Sequence, residues 1–286
     1  MKSHFDKVSY DLSRLFTQAY STSFSLGISR LGKELQGPVY AIYGFVRLAD
    51  EIVDSFHDYN KENLFRLFCK DVDKALEEKI SLNPLLNSFQ EVVHKYGIEK
   101  ELIDTFLRSM EMDLTETEYN REKFNTYVLG SAEVVGLMCL RVFVKGDEKA
   151  YQSLKPLGMS LGAAYQKINF LRDIKADFEG LGREYFPCFK LENFGDVQKK
   201  AFEKEIERDF KTGLEGIRNL PATSAFGVYL SYVYYYTLFK KIRNTPASVL
   251  MTRRIRISDF RKFMLMLGSY LKFKLDPTLK NNNQNL

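Results

Sequence analysis

From Pro38 to Phe56 the sequence PVYAIYGFVRLADEIVDSF repeats apolar residues at helical spacing around almost its whole circumference. At about 100° per residue, Val39, Ile42, Val46, Ala49, Val53 and Phe56 make one apolar stripe. Phe45, Leu48 and Ile52 cover much of the opposite side. A helix apolar on most of its surface must be enclosed by other elements, so this segment demands a fold that surrounds it. Its polar exception is narrow: Tyr43, Arg47, Asp50 and Asp54 share one face, with Glu51 beside them. A solvated face with an internal Arg47–Asp50 pair is one reading. Leu48 and Ile52 around the back favour the other, a polar stripe lining an internal cavity.

The rest of the chain supplies the enclosure as helices. Apolar residues recur at three and four in segments near 5–20, 38–56, 61–80, 84–95, 99–118, 122–144, 147–178, 196–218, 222–243 and 258–275. Pro38, Pro84, Pro156 and Pro221 stand near segment starts or at breaks, where a missing amide costs little. Strand alternation is hard to find, and EGLGREYFP at 179–187 reads as a loop. With 286 residues, 45% of them hydrophobic, the chain can bury one large core. The expected architecture is all-α, one domain over 1–278, with a disordered tail over 279–286 ending in NNNQNL.

A second polar stripe matches the first. Gln166, Asn169, Asp173 and Asp177 fall at spacings of three, four and four on one helix face. Gly158 and Gly162 continue that face, although glycine costs a helix interior about 1 kcal/mol relative to alanine. A polar patch at one end and a wall without side chains at the other suit an amphiphile with a charged head and an apolar tail. Paired aspartates with amide oxygens beside them are hard ligands, the donor set of Mg2+, with Mn2+ as the alternative. Zinc fits less well, because His4, His57 and His94 have no ligand spacing. Two such pairs face to face would clamp a diphosphate, and Arg47 and Arg172 suit the same anion.

Several function classes are set aside. The net charge of +5 comes from mixed signs without a basic block, so nucleic acid is not an expected partner. Cys69, Cys139 and Cys188 are scattered, as in a reducing compartment. The segment MKSHFDKVSY has no apolar run of the secretory kind. No window joins 18 uncharged apolar residues; YLSYVYYYTLF at 229–239 comes nearest. A cytoplasmic protein is expected, with a peripheral seat on the inner membrane face as an option. GISRLGKE at 27–34 nearly spells a P-loop, but Glu34 takes the hydroxyl position and no strand precedes it.

RLADEIVD and YQKINFLRDIKADFEGLGREYFP resemble the two signature regions of the squalene/phytoene synthase family. YSTSF at 20–24, YVLGSAEVVGLM at 127–138 and RRIRISDFRK at 253–262 extend the likeness over nearly the whole chain, whose character is nearest the bacterial phytoene synthases. The resemblance implies an isoprenoid-synthase helical bundle with a central cavity. It implies head-to-head joining of two geranylgeranyl diphosphates through a cyclopropylcarbinyl diphosphate to phytoene. Asp50, Asp54, Asp173, Asp177 and Asn169 would hold metal; Tyr127 and Arg172 would act on diphosphate. Ser21, Thr22 and Ser23 would contact phosphate, and Phe24 would line the tail cavity. Tyr43, Arg47 and Arg254 would hold diphosphate, with Gln166, Asn169 and Tyr235 completing the polar end. The loop from Gly180 to Pro187 would close over the site. Glu133–Val134 departs from the family's pattern by interrupting a run of small residues.

Two other products fit the same resemblance, squalene or dehydrosqualene from farnesyl diphosphate. NADPH is not expected, since no dinucleotide fingerprint is present. A non-catalytic assembly factor on the same fold is the remote reading, and the four retained aspartates speak against it. An insoluble hydrocarbon product would leave to a membrane surface or a downstream desaturase. DFRKFMLMLGSYLKFKL at 259–275 could lie on lipid, though its Met/Leu stripe also suits packing on the core.

Overall fold

The computed structural model describes residues 1–187, 191–276 and 279, so Cys188 and residues 280–286 lie outside it. Among the described residues no strand forms, and the long elements follow the helical periodicity. They are α1 (Lys2–Tyr20), α2 (Thr22–Ile28), α3 (Lys33–Ser55), α4 (Lys61–Glu78), α5 (Pro84–Tyr96) and α6 (Lys100–Thr115). After them come α7 (Arg121–Val128), α8 (Val134–Phe143), α9 (Glu148–Leu181), α10 (Asp196–Arg218), α11 (Ala222–Arg243), α12 (Ala247–Leu250) and α13 (Asp259–Leu275).

The helix apolar all round is enclosed as its pattern requires. α3 lies against α1, α4, α5, α6 and α8, and buries Ile42, Phe45, Ala49 and Val53 completely or nearly so. The Phe45 ring stacks on Phe89 with centroids 3.9 Å apart and also meets Phe106. Burying one such ring contributes about 1.5–3 kcal/mol. This cluster fills one half of the molecule. A second, centred on α7, α9, α10 and α11, fills the other and includes Leu279, the first residue of the stretch expected to be a disordered tail.

Four local features differ from the periodicity. Pro38 and Pro156 sit inside α3 and α9 rather than at their edges, and both helices continue through them. Residues 22–28, too short to show a period, form α2, whose start is capped by the Ser21 hydroxyl accepting from the Phe24 amide. The expected loop at 179–187 begins late: Glu179–Leu181 is the last turn of α9, ended by Gly182 at φ 65°. Finally, 122–144 is not one helix but α7 and α8 joined by a π-helical turn, Leu129–Glu133. That continuous run, Arg121–Phe143, is long and apolar enough to cross a membrane, although Glu133 and Arg141 keep it from being an uncharged stretch. Half of its most apolar window is buried inside the bundle, so core packing accounts for the apolarity.

The π turn packs hard against α9. A Cβ on Gly162 would stand 2.7 Å from the Ala132 carbonyl oxygen, which belongs to backbone and cannot step aside. On Gly158 the nearest atom would be a Leu140 methyl at 3.7 Å, an ordinary contact. The two glycines therefore have different causes, close helix approach at 162 and open cavity wall at 158. Gly162→Ala should lower stability in urea unfolding by about 1–3 kcal/mol, the usual cost of overpacking. Gly158→Ala should be neutral or stabilising by up to about 1 kcal/mol, from helix propensity alone.

Candidate active site

A cavity runs between the two clusters, walled by α2, α3, α8, α9, α10 and α11. Its long part is hydrocarbon: Ile28, Ile42, Val46, Val135, Leu157 and Leu161 are among the side chains facing it. Gly136 and Gly158 leave stretches of wall without side chains, whereas Gly213, Gly216 and Gly227 admit Leu161, Leu157 and Leu31 packed against them. At one end the lining turns polar through Tyr43, Arg47, Asp50, Gln166, Asn169 and Tyr127. Both stripes read from the sequence thus open onto the same space. Between the polar and apolar parts stands an aromatic group. Tyr165 stacks on Tyr235 at 4.1 Å, and Phe24 lies 5.7 Å from Tyr235 and 5.9 Å from Tyr43. The buried Tyr165 hydroxyl has no hydrogen-bond partner among the described residues.

The carboxylates are held by arginines. On α3, Arg47 donates to Asp50 and Glu51 while its guanidinium covers the Tyr20 ring at 4.5 Å. On α9, Asp173 receives both Arg172 and Arg254, the latter reaching in from the stretch before α13 with Nε 2.5 Å from Oδ1. Asn169 donates to Gln166 Oε1 at 3.2 Å and lies 3.5 Å from the Tyr235 hydroxyl. Positive charge is nevertheless insufficient. Burial, and then the Asp54 charge, push Asp50 well above the ordinary carboxylate range despite Arg47. Asp177 is pushed up to about 8 by burial, then by Asp173 and Asp54. The two acidic pairs, 119 or more residues apart in sequence, therefore feel each other's charge.

A fifth aspartate joins them. Asp113 on α6 accepts from the Tyr127 hydroxyl at 2.7 Å and the Tyr185 hydroxyl at 2.8 Å. Arg183 donates to Asp54 Oδ1 at 2.8 Å and to the Asp113 carbonyl at 2.8 Å, and its guanidinium is 3.4 Å from the Asp113 carboxylate. Burial raises Asp113 to about 6, against the pull of Arg183 and the two tyrosines. The segment carrying Arg183 is fastened rather than free. Its amide donates to the Asp177 carbonyl, Glu184 donates to Thr117, and Tyr119 donates back to Glu184. Arg183, Tyr185 and Phe186 are buried, so the expected closing loop is already seated in the structure.

The donor set suits hard divalent cations. Among the described residues no three His, Cys, Asp or Glu side chains gather at one point. Magnesium needs only one or two carboxylates, taking its remaining oxygens from water and substrate phosphates. Asp50, open to the cavity at 31% exposure, and Asp177, within reach of the Asp54 charge, are carboxylates of that kind.

The structure gathers most of the residues picked from sequence and separates a few. Phe24, Tyr43, Arg47, Asp50, Tyr127, Gln166, Asn169 and Tyr235 line the cavity. Asp54, Asp173 and Asp177 lie a turn or more further along the same helices, with Arg172 and Arg254 on Asp173. Ser21, Thr22 and Ser23 are not in the lining; Ser21 caps α2, and Thr22 accepts from Lys262 at 2.7 Å. Glu133 is not in the lining either. It lies near Lys167 and Asp209, so the departure at 133–134 leaves the wall to Ser131, Ala132 and Val135. Asp113, Tyr165, Arg183 and Tyr185 were missed. Asp113 had a signal, since it continues the apolar spacing of Ile103, Phe106 and Met110; Arg183 had none in its own neighbourhood.

The model of the squalene/phytoene synthase family matches residues 17–261. Phytoene synthase 1 of Solanum lycopersicum is 25% identical over 94% of this chain and 69% of its own length. The presqualene diphosphate synthase of Sinorhizobium fredii is 32% identical over 66% of this chain and 68% of its own. Among solved structures, a dehydrosqualene synthase in complex with ligand superposes with a TM-score of 0.80 at 19% identity, covering 94% of this chain and 98% of that one. A squalene synthase from Alicyclobacillus acidocaldarius gives 0.72 at 20% identity, covering 83% and 94%. These structures share the fold.

Removing Arg183 should test the network. Arg183→Met leaves Asp113 and Asp54 without their shared cation, and should cost about 3–5 kcal/mol in urea unfolding at neutral pH. Asp113 has a raised folded value, so its charge opposes folding increasingly as pH climbs from 3.8 toward about 6. The variant's deficit should therefore be smaller in acid, where Asp113 is protonated in both proteins, than at neutral pH.

Proposed function

The chain belongs to the squalene/phytoene synthase family, and on that premise we propose that it joins two geranylgeranyl diphosphates head to head to make phytoene. The observation that carries this reading is that two acidic pairs, held by arginines, feel each other's charge beside the polar end of a hydrocarbon cavity. Diphosphate heads belong at the polar end and prenyl tails in the apolar part.

In this reading Asp50, Asp54, Asp173 and Asp177, with Asn169, hold divalent cations. Such ions, when bound, neutralise diphosphate and ease its departure. Arg47, Arg172 and Arg254, now turned to carboxylates, bind the same phosphate oxygens once a substrate competes for them. The C1–O bond of the donor breaks, diphosphate leaves with the electron pair, and an allylic cation remains. The acceptor's double bond attacks that carbon and a proton is lost, giving a cyclopropylcarbinyl diphosphate. A second ionisation, rearrangement and proton loss give the hydrocarbon. The rings of Phe24, Tyr43, Tyr165 and Tyr235 flank the place where positive charge would develop, and ring faces stabilise cations within about 6 Å. The apolar wall keeps water from quenching those cations. Tyr127 lines the polar end, and to donate to diphosphate its hydroxyl would have to turn from Asp113.

The twenty-carbon substrate is supported by the phytoene synthases among the relatives and by Ile28. This aliphatic side chain lies one turn beyond Phe24 on α2, buried in the cavity wall. The 32% identity to a presqualene diphosphate synthase favours a second reading, the same condensation on fifteen-carbon chains. An assembly factor without activity has no use for this unneutralised acid cluster.

Incubation with geranylgeranyl diphosphate and magnesium, then extraction and mass analysis, should yield phytoene. A product formed only from farnesyl diphosphate, with or without NADPH, would establish the second reading. Asp50→Asn and Asp173→Asn should each lower turnover by about two orders of magnitude, the scale for losing one group that stabilises developing charge. Circular dichroism should be unchanged, and saturating EDTA should abolish activity. Ile28→Phe should shift competition assays toward fifteen-carbon substrates.

A further inference from the structure

α13 has its apolar side outward. Phe260, Met264, Leu267, Leu271 and Leu275 follow one another at spacings of four, three, four and four, forming a single stripe. Their exposures are 76%, 50%, 44%, 60% and 79%, and Phe263 and Tyr270 beside the stripe are 52% and 45% exposed. The inward side is what fastens the helix. Phe273 packs on Phe226 and Tyr229 of α11, Tyr234 donates to the Lys262 carbonyl, and Lys262 reaches Thr22 of α2. Soluble proteins rarely leave so long an apolar stripe uncovered without a binding use for it.

The charge around the stripe selects the occupant. Arg261 and Lys272 border it, Lys274 projects through it, and Arg253 and Arg256 precede the helix, all exposed. Among the described residues none of these five is in an ion pair; on this stretch Arg254 and Lys262 are the ones that pair. Asp259 is the one acid in α13. A second copy of the chain would bring like charges together across the contact. An anionic bilayer offers hydrocarbon to the stripe and negative headgroups to its basic border.

We propose that the outward face of α13 seats this protein on an anionic lipid surface. Position gives the seat a purpose. α13 lies on the outer side of α11 and touches α2, and those two helices carry Gly27, Ile28, Gly227, Val228 and Ser231 of the cavity wall. Bilayer hydrocarbon under α13 is thus separated from the tail cavity by one layer of helices. Use of that proximity to shed an insoluble product rests on the proposed function; the docking itself does not.

The test uses the full chain without substrate or metal. Phosphatidylcholine vesicles with about a third phosphatidylglycerol are sedimented with the protein, beside pure phosphatidylcholine vesicles. Binding should be at least about tenfold stronger to the anionic vesicles and should weaken in high salt. The doubly substituted Leu267→Glu, Leu271→Glu protein should lose about tenfold in vesicle affinity with unchanged circular dichroism, since both positions are exposed. Lys272→Glu with Lys274→Glu should abolish the preference for anionic lipid. Equal binding of the leucine variant, equal binding to both vesicle types, or no vesicle binding at all would overturn the proposal. So would a dimer in analytical ultracentrifugation that the leucine variant dissolves, in a protein that ignores vesicles. None of these outcomes bears on the reaction, which is read separately by product analysis.

Discussion

The organisation of this protein follows from repulsion among carboxylates gathered beside a hydrocarbon cavity. Asp50, Asp54, Asp113, Asp173 and Asp177 come from three helices; the Asp54 charge pushes up Asp50, Asp113 and Asp177, and the Asp113 charge pushes up Asp50 and Asp177. Four arginines hold the arrangement together, Arg47 and Arg172 from the same helices, Arg183 from the end of α9 and Arg254 from a distant segment. Such sites favour stability only weakly, because desolvating each charge offsets much of its attraction. The surrounding hydrocarbon therefore has to supply the folding free energy, and the two apolar clusters flank the acids on both sides.

That division explains what was legible in the sequence. The acidic stripes on α3 and α9 could be read because each sits on a helix whose other faces are apolar, so that phase alone isolates it. Gly158 was legible as open wall for the same reason. Asp113 carried a comparable signal, an acid in the apolar phase of α6, but one carboxylate with no partner at helical spacing does not announce a site. Arg183 could not be found locally, since its meaning comes from Asp54 and Asp113, 129 and 70 residues away. Ser21 and Thr22 show how a residue type can suit two tasks. Their residue types suit phosphate, yet in the structure one caps α2 and the other anchors Lys262.

Fold and chemistry were legible to different depths for a physical reason. Periodicity reports which side of a helix avoids water, and that is enough to predict a bundle. It does not report which helix meets which, and the outward stripe of α13 would pass for a core face on periodicity alone. The same Met/Leu pattern that suggested packing inward turned out to be the exposed side, with Phe273 and Ser269 beneath it.

The π turn at Leu129–Glu133 has a consequence for how this cavity can change over time. A π turn amounts to one surplus residue spliced into an α-helix. Deleting a single residue there would let α7 and α8 fuse into one regular helix, with no backbone bond lost. The two halves would then rotate against each other by about 100°. Either Tyr127 would leave Asp113, or Val135 and Gly136 would leave the wall. The number of residues between Tyr127 and Val135 is therefore fixed by what each half of the run has to face.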